Sequence, residues 1–288
     1  MKGIILAGGS GSRMWPSTQA VSKQLFPIYD KPLIYYPLST LMLAGIRDIL
    51  LITTPDDKSA FQKLLGTGES LGISISYGVQ NYPEGLAQAF IIGEEFIGLE
   101  NVALILGDNI FHGSGLGRDL AKYKDPNGAI IFGYEVTDAQ RYGVAEIDSA
   151  GSVLSIEEKP SAPKSKLAIP GLYFFDNSVC TKAKKVKKSK RGELEITSVL
   201  EMYRQESELK LKILARGTAW MDCGTVESLN DACNYIRVIE ERQGYKIGAL
   251  EEVAWRNQWI TSSELLQLVS SYQKSEYAEY LRRLIAQY

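Results

Sequence analysis

Short apolar runs alternate with longer amphipathic stretches through the first half of the chain. The runs at 3–7, 49–53 and 102–106 are rich in β-branched and aliphatic residues, which is typical of buried strands. The stretches at 37–44 and 61–65 place apolar residues at helical spacing instead. This alternation predicts βαβ units, and therefore a mainly parallel sheet with helices on both of its faces.

The pattern changes in the third quarter of the chain. Alternating runs at 143–147 and 153–156 flank the turn-forming sequence Asp-Ser-Ala-Gly at 148–151, which predicts a β-hairpin. A further strand is expected at 171–175, directly after Pro170, because proline cannot donate to a sheet ladder.

From about residue 225 only helical spacing is found. Leu229, Ala232 and Ile236 begin this pattern, and two later segments repeat it. We therefore expect an α/β core over residues 1–224 and a helical C-terminal segment over residues 225–288 that packs on the core.

Charge and composition restrict the partners of the chain. The 288 residues carry a formal net charge of −2, which argues against a nucleic-acid partner. The one dense basic run, at 182–191, has no interleaved aromatic residue and is interpreted as a solvated helix face. Neither a signal-peptide core nor an apolar run of about 18 residues is found, so we expect a cytoplasmic protein without a membrane partner.

Histidine and cysteine are the scarcest chemically useful residues. His112 is the single histidine, and the three cysteines form no C-x-x-C pair. A zinc site needs about four nitrogen or sulfur ligands, so zinc is disfavoured. A histidine-activated nucleophile would have to use His112 itself.

The first predicted strand leads into Gly8-Gly9-Ser10-Gly11-Ser12-Arg13. Glycines after a strand let backbone N–H groups turn toward an anion, and Arg13 and Lys23 would add fixed positive charge around a triphosphate. The dinucleotide fingerprint fails because Met14 stands where its third glycine belongs, and no Walker motif follows. An ordinary tight turn is the alternative.

Two aspartates are candidate ligands for a hard cation. Asp108 follows the strand at 102–106, at the edge where α/β sheets bind ligands, and Asp222 lies at the junction with the helical segment. Asp108 could equally be the N-cap of a following helix. The sequence alone does not show whether the two carboxylates converge.

The loop at 8–13, together with Lys23, resembles the G-G-x-G-[ST]-R…K signature of the sugar-1-phosphate nucleotidylyltransferases. The resemblance continues in order along essentially the whole chain, at 22–24, 29–32, 35–47, 85–90, 106–109, 141–144, 157–160, 171–174 and 191–197.

The resemblance implies a fold and a reaction. The implied fold is a Rossmann-like mixed sheet of the nucleotide-diphospho-sugar transferase type, usually assembled as a homotetramer. The most similar members join dTTP and glucose 1-phosphate, with Mg²⁺ as cofactor, into the dTDP-glucose that supplies dTDP-sugar synthesis, including that of dTDP-rhamnose.

The resemblance also implies roles by position. Arg13, Lys23 and Asp108 are the candidate catalytic residues, and Asp108 and Asp222 the candidate Mg²⁺ ligands. The implied contacts to the triphosphate and base are Gly8, Gly9, Gly11, Ser12, Arg13, Lys23, Gln24, Gln80 and Gly85. Those near the sugar phosphate are Asp108, Asn109, Gly143, Glu158, Lys159, Tyr173 and Trp220.

This chemistry gives the scarcity of histidine a meaning. The nucleophile would be a phosphate oxygen whose second pKa is about 6, so it arrives already ionised at neutral pH. No general base is needed. In-line positioning and cations for the developing charge would suffice.

Several alternatives stay open. The donor could be UTP and the acceptor glucosamine or galactose 1-phosphate, or the chain could be a non-catalytic nucleotide-sugar sensor. A nicotinamide oxidoreductase is suggested by the glycine loop alone. The stretch 112–117, with Glu252 and Arg256, matches a secondary site in relatives, which implies a dTDP-sugar as feedback effector. Glu84 and Cys223 depart from the usual Asp and Thr of the family.

Overall fold

The computed structural model describes residues 1–9, 11–272 and 274–287, and it contains an α/β fold built on one mixed sheet. The strands in this part of the chain are β1 (Lys2–Ala7), β2 (Pro27–Ile28), β3 (Lys31–Pro32), β4 (Asp48–Thr53), β5 (Ser74–Val79), β6 (Val102–Leu106), β7 (Asn109–His112), β8 (Ala129–Glu135), β9 (Gly143–Ile147), β10 (Val153–Glu158), β11 (Leu167–Ala168), β12 (Leu172–Phe175), β13 (Leu209–Ile213) and β14 (Ala219–Asp222).

The helices are α1 (Tyr35–Leu43), α2 (Lys58–Leu65), α3 (Gln88–Ile92), α4 (Glu94–Ile97), α5 (Leu116–Leu120), α6 (Val179–Ala183), α7 (Ile196–Gln205), α8 (Val226–Gln243), α9 (Leu250–Arg256), α10 (Ser262–Ser270) and α11 (Glu276–Ala286). Among the described residues, no helix is both long enough and apolar enough to cross a membrane.

The main sheet has ten strands in the order β10-β9-β11-β8-β12-β6-β1-β4-β5, with β13 beside β8. Strands β6, β1, β4 and β5 are mutually parallel, whereas β12 runs antiparallel to both β6 and β8. The predicted hairpin is confirmed, since β9 and β10 pair antiparallel. The sheet is thus mixed, and the predicted fold class is confirmed.

Strand β1 shows how the apolar pattern builds the core. Ile4 and Leu6 face one buried cluster, and Ile5 and Ala7 face the other on the opposite side of the sheet. Because a strand buried on both faces needs apolar residues at every position, β1 is a continuous apolar run and not an alternating one.

After residue 225 the described part of the chain forms four helices joined by short loops and contains no strand, as predicted. Helix α8 begins with a capping box in which the Thr225 side chain accepts a hydrogen bond from the Ser228 amide at 3.2 Å. Leu250 of α9, Leu265 of α10 and Leu281 of α11 join the same buried cluster as Ile5 of the sheet. The division of the chain at residues 224 and 225 into two units stays a prediction.

The interpretation of the basic run as one helix face is wrong. Helix α6 ends at Ala183, and the described chain is not helical again until Ile196. Lys182 is buried against Glu206 and the Tyr203 ring. The rest of the run is a loop, in which Lys184 pairs with Glu94 and Lys188 with Glu84. Like charges at helical spacing repel, which disfavours a helix there.

Candidate functional site

A cleft of about 660 Å³ lies at the carboxyl ends of β1 and β6. Parallel strands end at the same edge of a sheet, so the glycine loop after β1 and Asp108 after β6 meet there. All the site residues predicted from the sequence line this cleft except Gly8. Gly8 is covered by the Gln80 side chain: a β-carbon at Gly8 would lie 2.4 Å from Gln80 Oε1.

Gly9 and residues 11–13 of the glycine loop lie at the cleft wall. Gly11 has a φ of 60°, and its carbonyl accepts a hydrogen bond from Thr18 Oγ1 at 2.8 Å. Buried Met14 anchors the short turn that follows. Arg13 is exposed to the cleft, and no carboxylate of the described residues lies within ion-pair distance of it. Its charge is therefore available to an anion. Ser10 lies outside the described residues.

Asp108 and Asp222 come together through a short pair of strands. Strand β14 runs antiparallel to β7 and sets Asp222 opposite Asn109, while the Cys223 amide donates to the Asp108 carbonyl at 2.9 Å. Asp108 is followed by a strand and not by a helix, so it is not a helix N-cap. The pairing brings two carboxylates that are far apart in sequence to one wall of the cleft.

Asn109 holds this arrangement in place. Its Nδ2 donates to Asp108 Oδ1 at 2.9 Å, and its Oδ1 accepts from the Gly171 amide at 3.1 Å and from Trp220 Nε1 at 2.7 Å. With a side chain only 2% exposed, Asn109 ties β7, β12 and β14 together. It orients the Asp108 carboxylate, and Trp220 is fixed by the same hydrogen bonds.

The pKa values of Asp108 and Asp222 are shifted in opposite directions. Burial would raise the pKa of Asp108, but the paired Lys23 ammonium and the hydrogen bonds from Lys23 and Asn109 hold that pKa below its usual range. Burial, and then the negative charge of Asp108, raise the pKa of Asp222 to about 6. The two negative charges repel each other, so a cation between these carboxylates would stabilise the ionised form of Asp222.

The two carboxylates are compatible with a hard cation such as Mg²⁺. No group of three or more His, Cys, Asp or Glu side chains suited to a metal occurs in the described part of the chain. Mg²⁺, however, is usually held by one or two carboxylates, with the remaining positions taken by water and substrate phosphates. Asp108 and Asp222 supply two carboxylates of this kind, and Arg13, which lines the same cleft, could bind the substrate phosphates.

The region after β5 forms another wall. Gln80, Gly85 and Leu86 line the cleft. Gly85 has a φ of 109°, and a β-carbon there would lie 2.5 Å from the Leu194 backbone nitrogen. Only glycine fits this close approach, which joins the 80–88 segment to the segment before α7.

The antiparallel strands supply the opposite wall. Gly143 starts β9 and Glu158 ends β10, and a β-carbon at Gly143 would lie 3.5 Å from Glu158 Oε2. Burial, and then the charge of Glu195, raise the pKa of Glu158. Lys159 is partly exposed beside it, and buried Tyr173 of β12 completes the wall.

Arg191 is a site residue that the sequence interpretation missed. It was placed in the solvated basic run, yet it lines the cleft, where its Nη1 lies 3.4 Å from Glu158 Oε1 and 3.6 Å from Glu195 Oε1. Arg141 and Thr197 also line the cleft without having been assigned a role. All three belong to sequence blocks of the family resemblance, which was the signal available for them.

His112 lies apart from this chemistry. Its Nδ1 is 2.8 Å from the Tyr235 hydroxyl, burial lowers its pKa, and it is not in the cleft wall. Since it is the single histidine of the sequence, the cleft contains no imidazole base.

Comparison with known proteins identifies relatives along nearly the whole chain. The nucleotidyl transferase family profile matches residues 2–238. A glucose-1-phosphate thymidylyltransferase of Mycobacterium tuberculosis H37Rv is 54% identical over 285 residues, covering 99% of both chains. The enzyme of that name from Neisseria meningitidis serogroup A is 53% identical over 286 residues, again covering 99% of both.

Solved structures of sugar-phosphate nucleotidyltransferases superpose on this chain. A Bacillus anthracis protein assigned as a glucose-1-phosphate thymidylyltransferase, solved with sucrose, superposes with a TM-score of 0.75 at 38% identity. It covers 82% of this chain and 95% of its own. A UDP-glucose pyrophosphorylase solved with UDP-glucose superposes with a TM-score of 0.73 at 26% identity, covering 83% and 98%.

Proposed function

Because the chain belongs to the nucleotidyl transferase family, we propose that it is a glucose-1-phosphate thymidylyltransferase. It transfers dTMP from dTTP to α-D-glucose 1-phosphate and releases dTDP-glucose and pyrophosphate. The relatives of that name, whose similarity extends along 99% of both chains, support the assignment.

The observation that carries the proposal is the pairing of fixed cations with converging carboxylates. Arg13, Lys23, Asp108 and Asp222 line the same cleft. Lys23 pairs with Asp108 there, and Asp222 is brought beside them by the pairing of β14 with β7. Phosphoryl transfer depends on positioning and on stabilising charge, and these groups are suited to both tasks. A protein that only bound a nucleotide sugar would gain little from two half-buried carboxylates beside a polyanion.

No side chain needs to take a proton from the nucleophile. The phosphate of glucose 1-phosphate has a second pKa of about 6 and is ionised at neutral pH. Its oxygen attacks the α-phosphorus of dTTP, the bond from that phosphorus to the bridging oxygen breaks, and pyrophosphate leaves with the electron pair. The lack of an imidazole in the cleft agrees with this step.

Asp108 and Asp222 would hold Mg²⁺, assisted by Asn109, which fixes the Asp108 carboxylate. When bound, the metal neutralises charge on the phosphates. The protein's own contribution is to bring Arg13 and the glycine-loop amides to the triphosphate and to keep Lys23 beside Asp108.

The sugar phosphate would occupy the opposite wall. Glu158 is an acceptor for sugar hydroxyl groups, and Lys159 and Arg191 are cations for the phosphate. Tyr173 and Trp220 give this wall two aromatic side chains.

A matrix of substrates tests the proposal. Initial rates of pyrophosphate release are measured with dTTP, UTP and dCTP, each against glucose, galactose and glucosamine 1-phosphate. We expect dTTP with glucose 1-phosphate to give the highest kcat/KM. UTP is the alternative donor, favoured by the structural likeness to a UDP-glucose pyrophosphorylase, and a higher kcat/KM with UTP would overturn the thymidylyl assignment.

Other expectations from the resemblance stay predictions. These are the homotetramer, the cytoplasmic location, the supply of dTDP-rhamnose synthesis and the dTDP-sugar effector near 112–117, Glu252 and Arg256. Sedimentation velocity tests the first of them. Inhibition by added dTDP-sugars tests the last.

A further inference from the structure

A chain of side-chain hydrogen bonds runs behind the cleft wall at the end of β5. Gln80 is only 4% exposed and lines the cleft. Its Nε2 donates to Gln88 Oε1 at 2.6 Å. Its Oε1 lies against Gly8, and no hydrogen bond from the described residues reaches this oxygen.

The Gln88 amide has a single possible orientation. Its Oε1 accepts from the Glu84 backbone N–H at 3.3 Å, and its Nε2 donates to Glu84 Oε2 at 2.9 Å. A backbone N–H can only donate, and an ionised carboxylate can only accept. Turning the Gln88 amide around would therefore set N–H against N–H and oxygen against oxygen.

Glu84 is itself held from two sides. Its Oε1 accepts from Lys188 Nζ at 2.5 Å, and its carbonyl accepts from the Leu194 amide at 2.6 Å. Lys188 belongs to the loop between α6 and α7, and this ion pair compensates the charge of the Glu84 carboxylate that starts the chain of hydrogen bonds.

The orientation passes on to Gln80. Since Gln88 presents an oxygen, Gln80 must turn its NH₂ group toward Gln88, and its own oxygen faces Gly8 and the cleft. Gln80 is thereby fixed as an acceptor on its cleft side.

We propose that Glu84 and Gln88 are positioning residues that fix the Gln80 amide as an acceptor, so that the cleft selects a base carrying a ring N–H. Thymine and uracil have such a group at N3, whereas cytosine presents an unprotonated acceptor nitrogen there. This inference rests on the proposed function for the presence of a pyrimidine nucleotide. It adds to that function a reason for the choice of base.

The test measures base selectivity, because a merely structural role would lower all rates alike. In Gln88→Leu the Gln80 amide is free to turn, and we expect the ratio of kcat/KM for dTTP to that for dCTP to fall at least about tenfold. The ratio for dTTP to UTP should not change, since both bases carry the same N–H. Gln62→Leu, an exposed glutamine on α2, is the matched control and should leave both ratios unaltered.

An exchange of the two side chains provides a rescue. In the double variant Glu84→Gln/Gln88→Glu, a carboxylate at position 88 still accepts from Gln80, and the amide at position 84 can donate to it. We expect selectivity to return to within about threefold of the parent value. A single Glu84→Gln change should lower selectivity less than Gln88→Leu does, and it gives the answer if Gln88→Leu does not fold.

The inference is overturned if Gln88→Leu and Glu84→Gln lower kcat/KM for dTTP and dCTP by the same factor. Failure of the proposed function gives a different result, namely a parent enzyme that prefers UTP. In that event the ratio of UTP to CTP carries the same test of Glu84 and Gln88.

Discussion

The two walls of the cleft are built in different ways. The nucleotide wall uses loops that directly follow parallel strands, with Gly11 and Arg13 after β1 and Asp108 after β6. The sugar wall uses antiparallel strands and a loop, with Glu158 at the end of β10 and Arg191 before α7. On the first wall Arg13 is unpaired among the described residues, whereas Arg191 is surrounded by glutamates.

This difference indicates a division of labour. Uncompensated positive charge beside carboxylates suits a polyphosphate and its developing charge. A cation already shared with glutamates contributes less when a phosphate arrives, because its charge is partly neutralised. We therefore expect changes on the nucleotide wall to act on kcat and changes on the sugar wall to act on KM for the acceptor.

The largest effect is expected for the paired carboxylates. Asp108→Asn and Asp222→Asn should each lower kcat/KM by about 10³-fold, since a metal ion supplies several kcal/mol of stabilisation and each 1.36 kcal/mol is tenfold in rate. Steady-state kinetics measure the loss, and thermal melting verifies the fold. Asp231→Asn, at an exposed residue of α8, is the control. Full activity in both active-site variants would remove the metal assignment.

The next largest effect is expected for Arg13→Met. Loss of a fixed cation at the developing charge should lower kcat by about 10²-fold. The KM for glucose 1-phosphate should stay within about twofold, because Arg13 is on the other wall. Arg237→Met, an exposed residue paired with Glu241, serves as the matched control. A change confined to the acceptor KM would contradict the division between the walls.

Arg191→Met should have a smaller and different effect. We expect the KM for glucose 1-phosphate to rise about tenfold, as for a screened cation that touches a phosphate, with little change in the KM for dTTP. Varying each substrate at saturating levels of the other separates the two constants, and Lys190→Met is the neighbouring control. A change in the KM for dTTP alone would contradict this prediction, because it would place Arg191 on the nucleotide wall.

Acidification should distinguish the walls through Glu158. The pKa of this carboxyl is raised by burial and then by Glu195, so it takes up a proton at a higher pH than an ordinary glutamate does. A protonated Glu158 is a poorer acceptor, and the KM for glucose 1-phosphate should therefore rise as the pH falls toward the raised pKa of Glu158. Glu158→Gln should lose this added slope, and the slope that remains reports the titration of the substrate and of Asp222, which the two proteins share. Identical pH profiles in both proteins would exclude the role.

The smallest effect is expected outside both walls. Thr261 caps α10, with its side chain accepting from the Glu264 amide at 3.2 Å. Thr261→Ala should lower the free energy of unfolding by about 1 kcal/mol and the Tm by about 2–4 °C. Both KM values should stay unchanged, and a change in either would tie α10 to the cleft.

The two walls also differ in how well the sequence predicts them. The positions of the glycine loop and of Asp108 could be predicted from the apolar runs of β1 and β6. The residues that follow a parallel strand must lie at the edge of the sheet where that strand ends. The hairpin and the helices after 225 are likewise local patterns, and the structure confirms them.

The other features of the site could not be predicted from the sequence, because they depend on contacts between residues that are far apart in the chain. The approach of Asp222 to Asp108 depends on the register of β14 on β7, two four-residue strands whose pairing no local pattern reveals. Arg191 was misplaced for a similar reason. A dense basic run resembles a solvated surface until the fold supplies Glu158 and Glu195 as its partners.

The central claim is that a phosphate oxygen of glucose 1-phosphate attacks the α-phosphorus of dTTP. The direct test uses glucose 1-phosphate with ¹⁸O in its phosphate group and follows the label by ³¹P NMR and mass spectrometry. We expect all the label in dTDP-glucose, including the oxygen that bridges its two phosphorus atoms, and none in pyrophosphate. Label in pyrophosphate, or nucleotide hydrolysis without dTDP-glucose, would contradict the account.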